Sequence, residues 1–257
     1  MVRQDGRAHV RKEDIVRGLL ALGLGEGHLV QVHSSLSSFG YVEGGAEAVV
    51  DALIAAVGPT GTVMVPTFNH GQAEIFDVNS TPSVNGAITE ALRKRPQAKR
   101  SVHPTHPYAA IGPMAEWLTG EHLELDTFDR NSPLGKLADK GGWVLLLGVG
   151  MNSNTAAHVG ETLARVPCIG YRENPGKVVG PDGALRQAWS VLWRDGPCLL
   201  EWDPLEQAMR DTDMIADGRI GDAQVMLMKA LDVVQTAFEL TRTICPNCPT
   251  RPKRAAR

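Results

Sequence analysis

The positions of apolar and polar residues along the chain predict alternating strands and helices. After Gly44-Gly45, apolar residues fall at positions 46, 49, 50, 53, 54 and 57, which is the spacing of one helix face. Short apolar runs over residues 28–33 and 61–66 predict a strand on each side of that helix. Strand, helix and strand within about 40 residues form a βαβ unit, which implies a parallel sheet covered by helices.

A second pattern of this kind lies further along the chain. Residues 142–149 are nearly all apolar, as expected for a strand buried on both faces, and residues 154–165 have helical spacing. The remaining patterns predict helices over 10–22, 86–95 and 221–242, and strand-like pieces at 177–179 and 188–193. The expected fold class is therefore α/β, with a mainly parallel central sheet covered by helices. In such sheets ligands bind at the carboxyl ends of strands, which favours residues 33–38 and 148–158 as sites.

Charge narrows the classes of partner. The 257 residues include 26 basic and 29 acidic side chains and carry a net charge of −3, which excludes a general nucleic-acid-binding protein. The last eight residues hold four cations (Arg251, Lys253, Arg254 and Arg257) and no acid, so the preceding 249 residues carry −7. An acidic body suits a cationic small molecule, although solubility alone explains the charge equally well.

Targeting and cysteine patterns favour a cytoplasmic protein. No stretch approaches the roughly 18 uninterrupted apolar residues of a spanning helix, and the N-terminus is too charged for a secretory signal, so no membrane partner is expected. Four cysteines, at positions 168, 198, 245 and 248, are too few and too unevenly placed for a disulfide framework. Cys245 and Cys248 form a single CxxC with no second pair, so no metal ligands are predicted.

The helix after the second buried strand carries the residue types of a general base. Thr155, His158 and Glu161 are spaced three residues apart, which places a hydroxyl, an imidazole and a carboxylate along one helix face. An imidazole accepts a proton at neutral pH, and a neighbouring carboxylate fixes its tautomer and stabilises its charged form. On spacing alone, a surface ion pair between His158 and Glu161 is an equally good interpretation.

Two other segments are candidates for binding anions or metals. His33, Ser34, Ser35 and Ser37 lie in a turn before a Gly-Gly helix start, where hydroxyls and free N–H groups can hold a phosphate, or simply cap the helix. In residues 99–106, Arg100 has the chemistry to pair with a phosphate. His103 and His106 have HxxH spacing, but Pro104 argues against a helix that would aim both at one metal ion, so packing is the expected role of His106.

Three stretches together carry a resemblance to a known family. They are VHSSLSSFGYVEGGAEAVVDALIAAVGPTGTVMVPTF, RSVHPTHPYAAIGP and NSPLGKLADKGGWVLLLGVGMNSNTAAHVGE, in that order. From about residue 10 to residue 240, the chain resembles the aminoglycoside 3-N-acetyltransferases, or antibiotic N-acetyltransferases. The resemblance implies one α/β domain over residues 10–243 with a basic tail over 244–257. Its fold would differ from the common acetyltransferase fold with a splayed strand.

The resemblance also implies a reaction and a set of roles. The enzyme would transfer acetyl from acetyl-CoA to the 3-amino group of a deoxystreptamine antibiotic, which confers resistance, with the antibiotic as its cationic partner. His158 would be the general base, Glu161 its carboxylate partner, and Thr155 would lie beside the thioester. The residues expected to line the coenzyme A site are His33, Ser34, Ser35, Leu36, Ser37, Arg100, Ser101, Val102 and His103. Ser132 matches a family position without an assigned role.

The chemistry of these residues is consistent with direct transfer in a ternary complex. A neutral His158 can take the proton of the attacking amine, and Thr155 or backbone N–H groups of the Ser35 turn can donate to the developing oxyanion. None of the cysteines lies in a recognisable activating setting, so an acyl-cysteine route is not expected. One departure is His106-Pro107-Tyr108, where family members often read HPTHS, and this change is expected to alter packing beside the coenzyme.

Several alternatives stay open at this stage. A metal-dependent hydrolase would use His33, His103, His106, His158 and Glu161. A sequestering protein would bind a cationic drug without acetylating it, and an acetyltransferase of another small amine would share the same base. The substrate loops, around residues 69–77 and after Trp189, match the family least well. Five acids have the chemistry to bind ammonium groups, although a solvated surface charge is the favoured interpretation of each: Glu74, Asp77, Asp129, Glu201 and Asp203. Monomer and homodimer are both compatible with the sequence.

Overall fold

The structure, a computed structural model, describes residues 6–166, 168–193 and 202–245. The helices are α1 Lys12–Ala21, α2 Gly45–Val57, α3 Ala87–Arg93, α4 Ala115–Thr119, α5 Pro133–Asp139, α6 Ala157–Leu163, α7 Trp202–Arg210 and α8 Ala230–Ile244. The strands are β1 His9–Val10, β2 Leu29–Ser34, β3 Tyr41–Val42, β4 Thr62–Pro66, β5 Ile75–Asp77, β6 Lys99–Arg100, β7 Tyr108–Ile111, β8 Trp143–Leu147, β9 Ile169–Tyr171, β10 Gly176–Val179, β11 Leu185–Ala188, β12 Val191–Trp193, β13 Ile215–Ile220 and β14 Ala223–Lys229. Short 3-10 turns cover Leu36–Phe39 and Met151–Ser153.

A seven-stranded sheet organises the described part of the chain, in the order β13-β14-β8-β2-β4-β7-β6. Its three central strands, β8, β2 and β4, are parallel to one another, and every outer pairing is antiparallel. The α/β class is confirmed, and the parallel arrangement describes the centre of the sheet rather than its edges. β5, β10 and β11 form a smaller sheet, and β1 pairs with β3 and β9 with β12.

Both faces of this sheet are buried beneath helices. One core contains side chains from α1, α2 and α3, including Ile15, Leu53 and Leu92, together with strand residues such as Val30 and Val32. The other core contains side chains from α4 to α8. Such double coverage explains why the strand predicted at 142–149 is almost continuously apolar.

The prediction of a single helix over 221–242 is wrong in its first part. Ala223–Lys229 is strand β14, which pairs antiparallel with β8 on one side and with β13 on the other. The apolar run in this segment fits a fully buried strand as well as a helix, so periodicity alone does not separate them. Gly221 makes the hairpin turn at φ +60, where a Cβ would lie 2.5 Å from the carbonyl oxygen of Phe39. The helix itself begins only at Ala230.

The predicted piece at 188–193 is also divided. Ala188 ends β11, which pairs with β10, whereas Val191 begins β12, which pairs with β9. The other helices and strands predicted from sequence are present, with ends displaced by one to three residues.

The topology brings the two favoured sites together. β2 and β8 are neighbouring parallel strands, with His33 opposite Leu146 and Ser34 opposite Leu147, so their carboxyl ends lie at the same edge. Side chains alternate along a strand, and Val30 and Val32 point into the core beneath α1 and α2. His33 therefore points to the opposite face of the sheet, which is the face that α6 covers.

Candidate active site

Helix α6 holds an imidazole and a carboxylate in direct contact. The Nδ1 atom of His158 lies 2.6 Å from Oε2 of Glu161, and the two side chains are 19% and 11% exposed. The helix packs tightly on α8 at Gly160, where a Cβ would lie 2.3 Å from the carbonyl oxygen of Val234. The pair therefore lies on a helix packed closely against α8, and part of the His158 side chain is exposed to solvent.

Thr155 connects this helix to strand β2. Its hydroxyl oxygen lies 3.2 Å from Nε2 of His33, and its backbone N–H donates to the same nitrogen at 3.4 Å. Burial, with a smaller contribution from nearby His158, lowers the pKa of His33 to about 3. His33 is therefore neutral at physiological pH, with Nε2 as the acceptor and the proton on Nδ1.

Aromatic rings enclose the catalytic candidate on two sides. The ring of His158 lies 5.0 Å from that of Phe128 and 5.4 Å from that of Trp202, between ring centroids. Phe128 in turn contacts His106, and the hydroxyl of Tyr108 lies 3.5 Å from the Thr155 hydroxyl. Sequence reasoning missed the site roles of Phe128, Trp202 and Tyr108. Their aromatic character was the available signal, since only 5% of the residues are aromatic.

The serine turn lines a groove beside this site. Ser34, Ser35, Leu36 and Ser37 line a cavity of about 650 Å³ together with residues 84–87. The Oγ atom of Ser34 is buried and has no hydrogen-bond partner among the described residues. A buried hydroxyl without a partner is costly, which singles out Ser34 among the residues that line this groove.

Arg100 and Val102 line a different cavity. It measures about 670 Å³ and does not include the serine turn among its lining residues. The Arg100 guanidinium donates to the carbonyl oxygens of Thr67, Val78 and Thr81, and it lies 4.7 Å above the ring of Phe76. Burial and the charge of Arg93 lower its pKa to about 9. The structure thus does not join Arg100 to the Ser34–Ser37 groove.

Ser101 and His103 lie in the protein interior, each 0% exposed. The Nδ1 atom of His103 accepts backbone N–H groups of Thr105 and His106, and its Nε2 lies 3.2 Å from the hydroxyl of Thr127. Both nitrogens are therefore used within the protein. His106 is packed and hydrogen-bonded, as expected from the sequence, with its Nδ1 2.7 Å from the Thr105 hydroxyl.

Comparisons with known proteins show the family to which the chain belongs. A family model described as aminoglycoside 3-N-acetyltransferase matches residues 31–242. Aminoglycoside N(3)-acetyltransferase VII of Streptomyces paromomycinus is 38% identical over 90% of this chain and 91% of its own length. The chain belongs to the aminoglycoside 3-N-acetyltransferase family. The sequence-based expectation of an acyltransferase of this family is confirmed.

Solved structures share the fold and carry ligands. AAC-IIIb in a binary complex with CoASH has a TM-score of 0.81 and 25% identity, covering 94% of this chain and 100% of that chain. A variant of aminoglycoside acetyltransferase AAC(3)-IVa in complex with a gentamicin has a TM-score of 0.80 and 30% identity, covering 91% of this chain and 88% of that chain. The aminoglycoside 3-N-acetyltransferase fold extends across nearly the whole chain.

In this family member, the acids considered for substrate binding have varied surroundings. Glu74 lies 3.8 Å from Lys177, Asp77 and Asp129 accept nearby backbone N–H groups, and Asp203 is in the first turn of α7. Glu201 lies outside the described residues, as do Cys198, Cys248 and the four cations of the tail. Ser132, which had no assigned role, is the N-cap of α5 and accepts the N–H of Gly135.

The hydrolase alternative gains no support. Within residues 6–166, 168–193 and 202–245, no three His, Cys, Asp or Glu side chains are grouped as a metal ion would need. The histidines proposed as metal ligands for the hydrolase contact hydroxyls, backbone amides and Glu161 instead.

Within the described residues, no helix is both long enough and apolar enough to cross a membrane.

Proposed function

We propose that this family member transfers the acetyl group of acetyl-CoA to the 3-amino group of a deoxystreptamine aminoglycoside, with His158 as general base. The observation that carries the proposal is the 2.6 Å contact between His158 and Glu161 at the carboxyl edge of the parallel strands. The CoASH complex of one relative and the gentamicin complex of another support both substrates. The proposal includes the cytoplasmic location expected from the sequence.

The His158 and Glu161 pair has the arrangement that proton transfer requires. A neutral His158 with its proton on Nδ1 donates to the Glu161 carboxylate, which leaves Nε2 as the basic nitrogen. Nε2 takes a proton from the substrate amine as the amine nitrogen bonds to the thioester carbonyl carbon. The carboxylate then stabilises the imidazolium that forms, and the rings of Phe128 and Trp202 limit the directions from which water approaches.

Thr155 is the side chain that we propose for stabilising the oxyanion. Nε2 of His33 already receives the backbone N–H of Thr155, so the Thr155 hydroxyl proton can turn toward a negative oxygen without leaving His33 unpaired. The backbone N–H of Ser35 donates to the carbonyl oxygen of Leu147, so this N–H is already committed. When the tetrahedral intermediate collapses, the carbon–sulfur bond breaks and the coenzyme thiolate leaves. The thiolate takes the proton that Nε2 of His158 received from the amine, which restores the neutral base.

The Ser34–Ser37 groove is the proposed path of the coenzyme. It begins at the carboxyl end of β2 and is lined by Ser34, whose hydroxyl has no partner among the described residues, and by Ser35 and Ser37, whose hydroxyls are 3.2 Å apart. Four of the predicted coenzyme residues, Ser34, Ser35, Leu36 and Ser37, line this one groove. Arg100 and Val102 face the other cavity, and we leave them out of the proposed path.

Product analysis tests the proposal. Purified protein is mixed with acetyl-CoA and, in turn, several aminoglycosides that have a free 3-amino group, while thiol release is followed and the acetylated nitrogen is assigned by NMR. The expected result is stoichiometric thiol release and acetylation at the 3-amino nitrogen. Drug binding without thiol release would support sequestration instead, and turnover only of simple amines would support a different amine substrate. A protein that neither binds coenzyme A nor releases thiol would overturn the proposal.

A further inference from the structure

The interior histidines form a hydrogen-bonded network that ends beside the catalytic candidate. His103 and His122 stack with ring centroids 4.5 Å apart, and both are buried. His103 contacts the Thr127 hydroxyl at 3.2 Å, and Nε2 of His122 contacts the carbonyl oxygen of the same threonine at 3.3 Å. The residue after Thr127 is Phe128, whose ring lies against His158.

The donors in this network fix both tautomers. Since Nδ1 of His103 accepts two backbone N–H groups, the ring proton is on Nε2 and is donated to Thr127. Since a carbonyl oxygen only accepts, Nε2 of His122 donates to it, and Nδ1 accepts from the hydroxyl of Ser101. Each imidazole is thus neutral, with one donor and one acceptor in use.

His103 is hydrogen-bonded to the two segments that carry the rings packed behind His158, which are those of His106 and Phe128. One nitrogen holds the backbone of His106, and the other holds Thr127, which precedes Phe128. The His106 ring lies 5.3 Å from the Phe128 ring, which in turn lies 5.0 Å from the His158 ring. A shift of His103 would therefore move both layers of aromatic packing behind the base.

We infer that His103 is a positioning residue for acetyl transfer, which holds Phe128 through Thr127 and so fixes the place of His158, and that it does not contact the coenzyme. The inference rests on the proposed function, because it assigns a task relative to His158. The 0% exposure of His103 supports this role, because a fully buried side chain in this segment is placed to hold its neighbours rather than to touch the coenzyme.

A double-mutant cycle on the bond between His103 and Thr127 tests the inference. His103→Asn keeps an acceptor for the backbone N–H groups but loses the donor to Thr127. Thr127→Val removes that acceptor, which also accepts the backbone N–H of Val191 at 3.2 Å. Each variant is expected to lower kcat about tenfold, since small misplacements of a catalytic group are costly, with the KM for acetyl-CoA unchanged within about twofold. Both changes break the bond between His103 and Thr127, and only Thr127→Val also breaks the bond to Val191. The double variant should therefore lose about as much kcat as Thr127→Val alone, rather than about a hundredfold.

Thr127→Ser is the matched control, because it keeps the hydroxyl, and it should retain wild-type kcat within about threefold. Additive losses, an equal loss in Thr127→Ser, or a raised KM for acetyl-CoA would overturn the inference.

A second measurement does not depend on turnover or on a variant that folds. In wild-type protein labelled with nitrogen-15 at histidine, His103 should carry its proton on Nε2, and a proton on Nδ1 would overturn the inference. Absence of wild-type acetyl transfer would instead contradict the proposed function, while the tautomer would still report on the network.

Discussion

Two histidine-containing regions of this molecule use the same side chain in opposite ways. On α6, the imidazole of His158 faces the Glu161 carboxylate and keeps 19% of its side-chain surface exposed. In the segment around residues 101–106, His103 faces backbone amides and a hydroxyl and is 0% exposed. The partner decides the role, because a carboxylate stabilises the protonated form whereas N–H donors to a ring nitrogen stabilise the neutral form.

Acidification is expected to have the largest effect, because it acts on the stability that depends on the buried, neutral histidines. Burial lowers the pKa of His33 to about 3 and that of His122 to about 4, and it also holds the pKa values of His103 and His106 well below 6.5. Below pH 6.5 the unfolded chain binds protons that the folded protein does not. The free energy of unfolding therefore keeps its full value above about pH 6.5, and it decreases as the pH falls from 6.5 toward the pKa values of these histidines in the folded protein. Each fully affected histidine contributes about 1.4 kcal/mol per pH unit.

Urea unfolding at pH 7.5, 6.0 and 5.0 measures this slope. The free energy of unfolding should fall by several kcal/mol over the range, and His33→Gln should flatten the slope by about 1.4 kcal/mol per pH unit. A free energy that stays constant from pH 7.5 to pH 5.0 would show that the interior histidines are not held neutral.

Glu161→Gln tests the other region. The change keeps the shape of the side chain but removes the charge that stabilises the imidazolium, so kcat for acetyl transfer should fall about ten- to a hundredfold. Glu239→Gln on the exposed side of α8 is the matched control and should leave kcat unchanged. Steady-state kinetics at saturating acetyl-CoA decides the matter, and equal kcat values for the two variants would assign Glu161 to a surface ion pair.

Gly160→Ala tests the packing of α6, which carries His158 and Glu161, against α8. A Cβ there would lie 2.3 Å from the carbonyl oxygen of Val234 and 2.8 Å from the backbone nitrogen of Phe238, so α6 and α8 must separate. Overpacking of this kind lowers the free energy of unfolding by about 1–3 kcal/mol. Thermal unfolding compares it with Gly25→Ala, where no atom lies within 4 Å of the added Cβ. Equal melting temperatures would contradict the close packing of these helices.

Tyr108→Phe is expected to have the smallest effect. Its hydroxyl lies at the limit of hydrogen-bond distance from Thr155, and burial raises the pKa of that hydroxyl, so it stays protonated. Removing it should change kcat by no more than about threefold and stability by about 1 kcal/mol. A loss in kcat above about thirtyfold would place Tyr108 in the catalytic machinery.

Much of the fold was predictable because apolar periodicity records which face of an element is buried. The helix at 45–57 follows that rule, and the strand at 143–147 was predicted from a short, continuous apolar run that glycines bound on both sides. Strand β14 was missed because its apolar run continues into the pattern of α8 with no glycine or proline between them. The antiparallel edges of the sheet depend on pairing between distant segments, and local pattern carries no information about that pairing.

The site was predictable where its residues share one helix. His158 and Glu161 are three residues apart, so helical geometry alone brings them together. Phe128 and Trp202 come from segments far away in sequence, and their approach to His158 depends on tertiary packing. The same limit applies to Arg100 and His103, since their internal partners are set by the loops that fold around them.

The central claim is that His158 acts as the base in acetyl transfer, and one paired measurement on His158→Ala tests it most directly. The turnover number at saturating acetyl-CoA and aminoglycoside is compared with that of the wild type, and coenzyme A affinity is measured calorimetrically on the same samples. The account predicts a loss in turnover of about 10²- to 10⁴-fold with coenzyme affinity unchanged within about twofold. Turnover within about threefold of the wild type would contradict it.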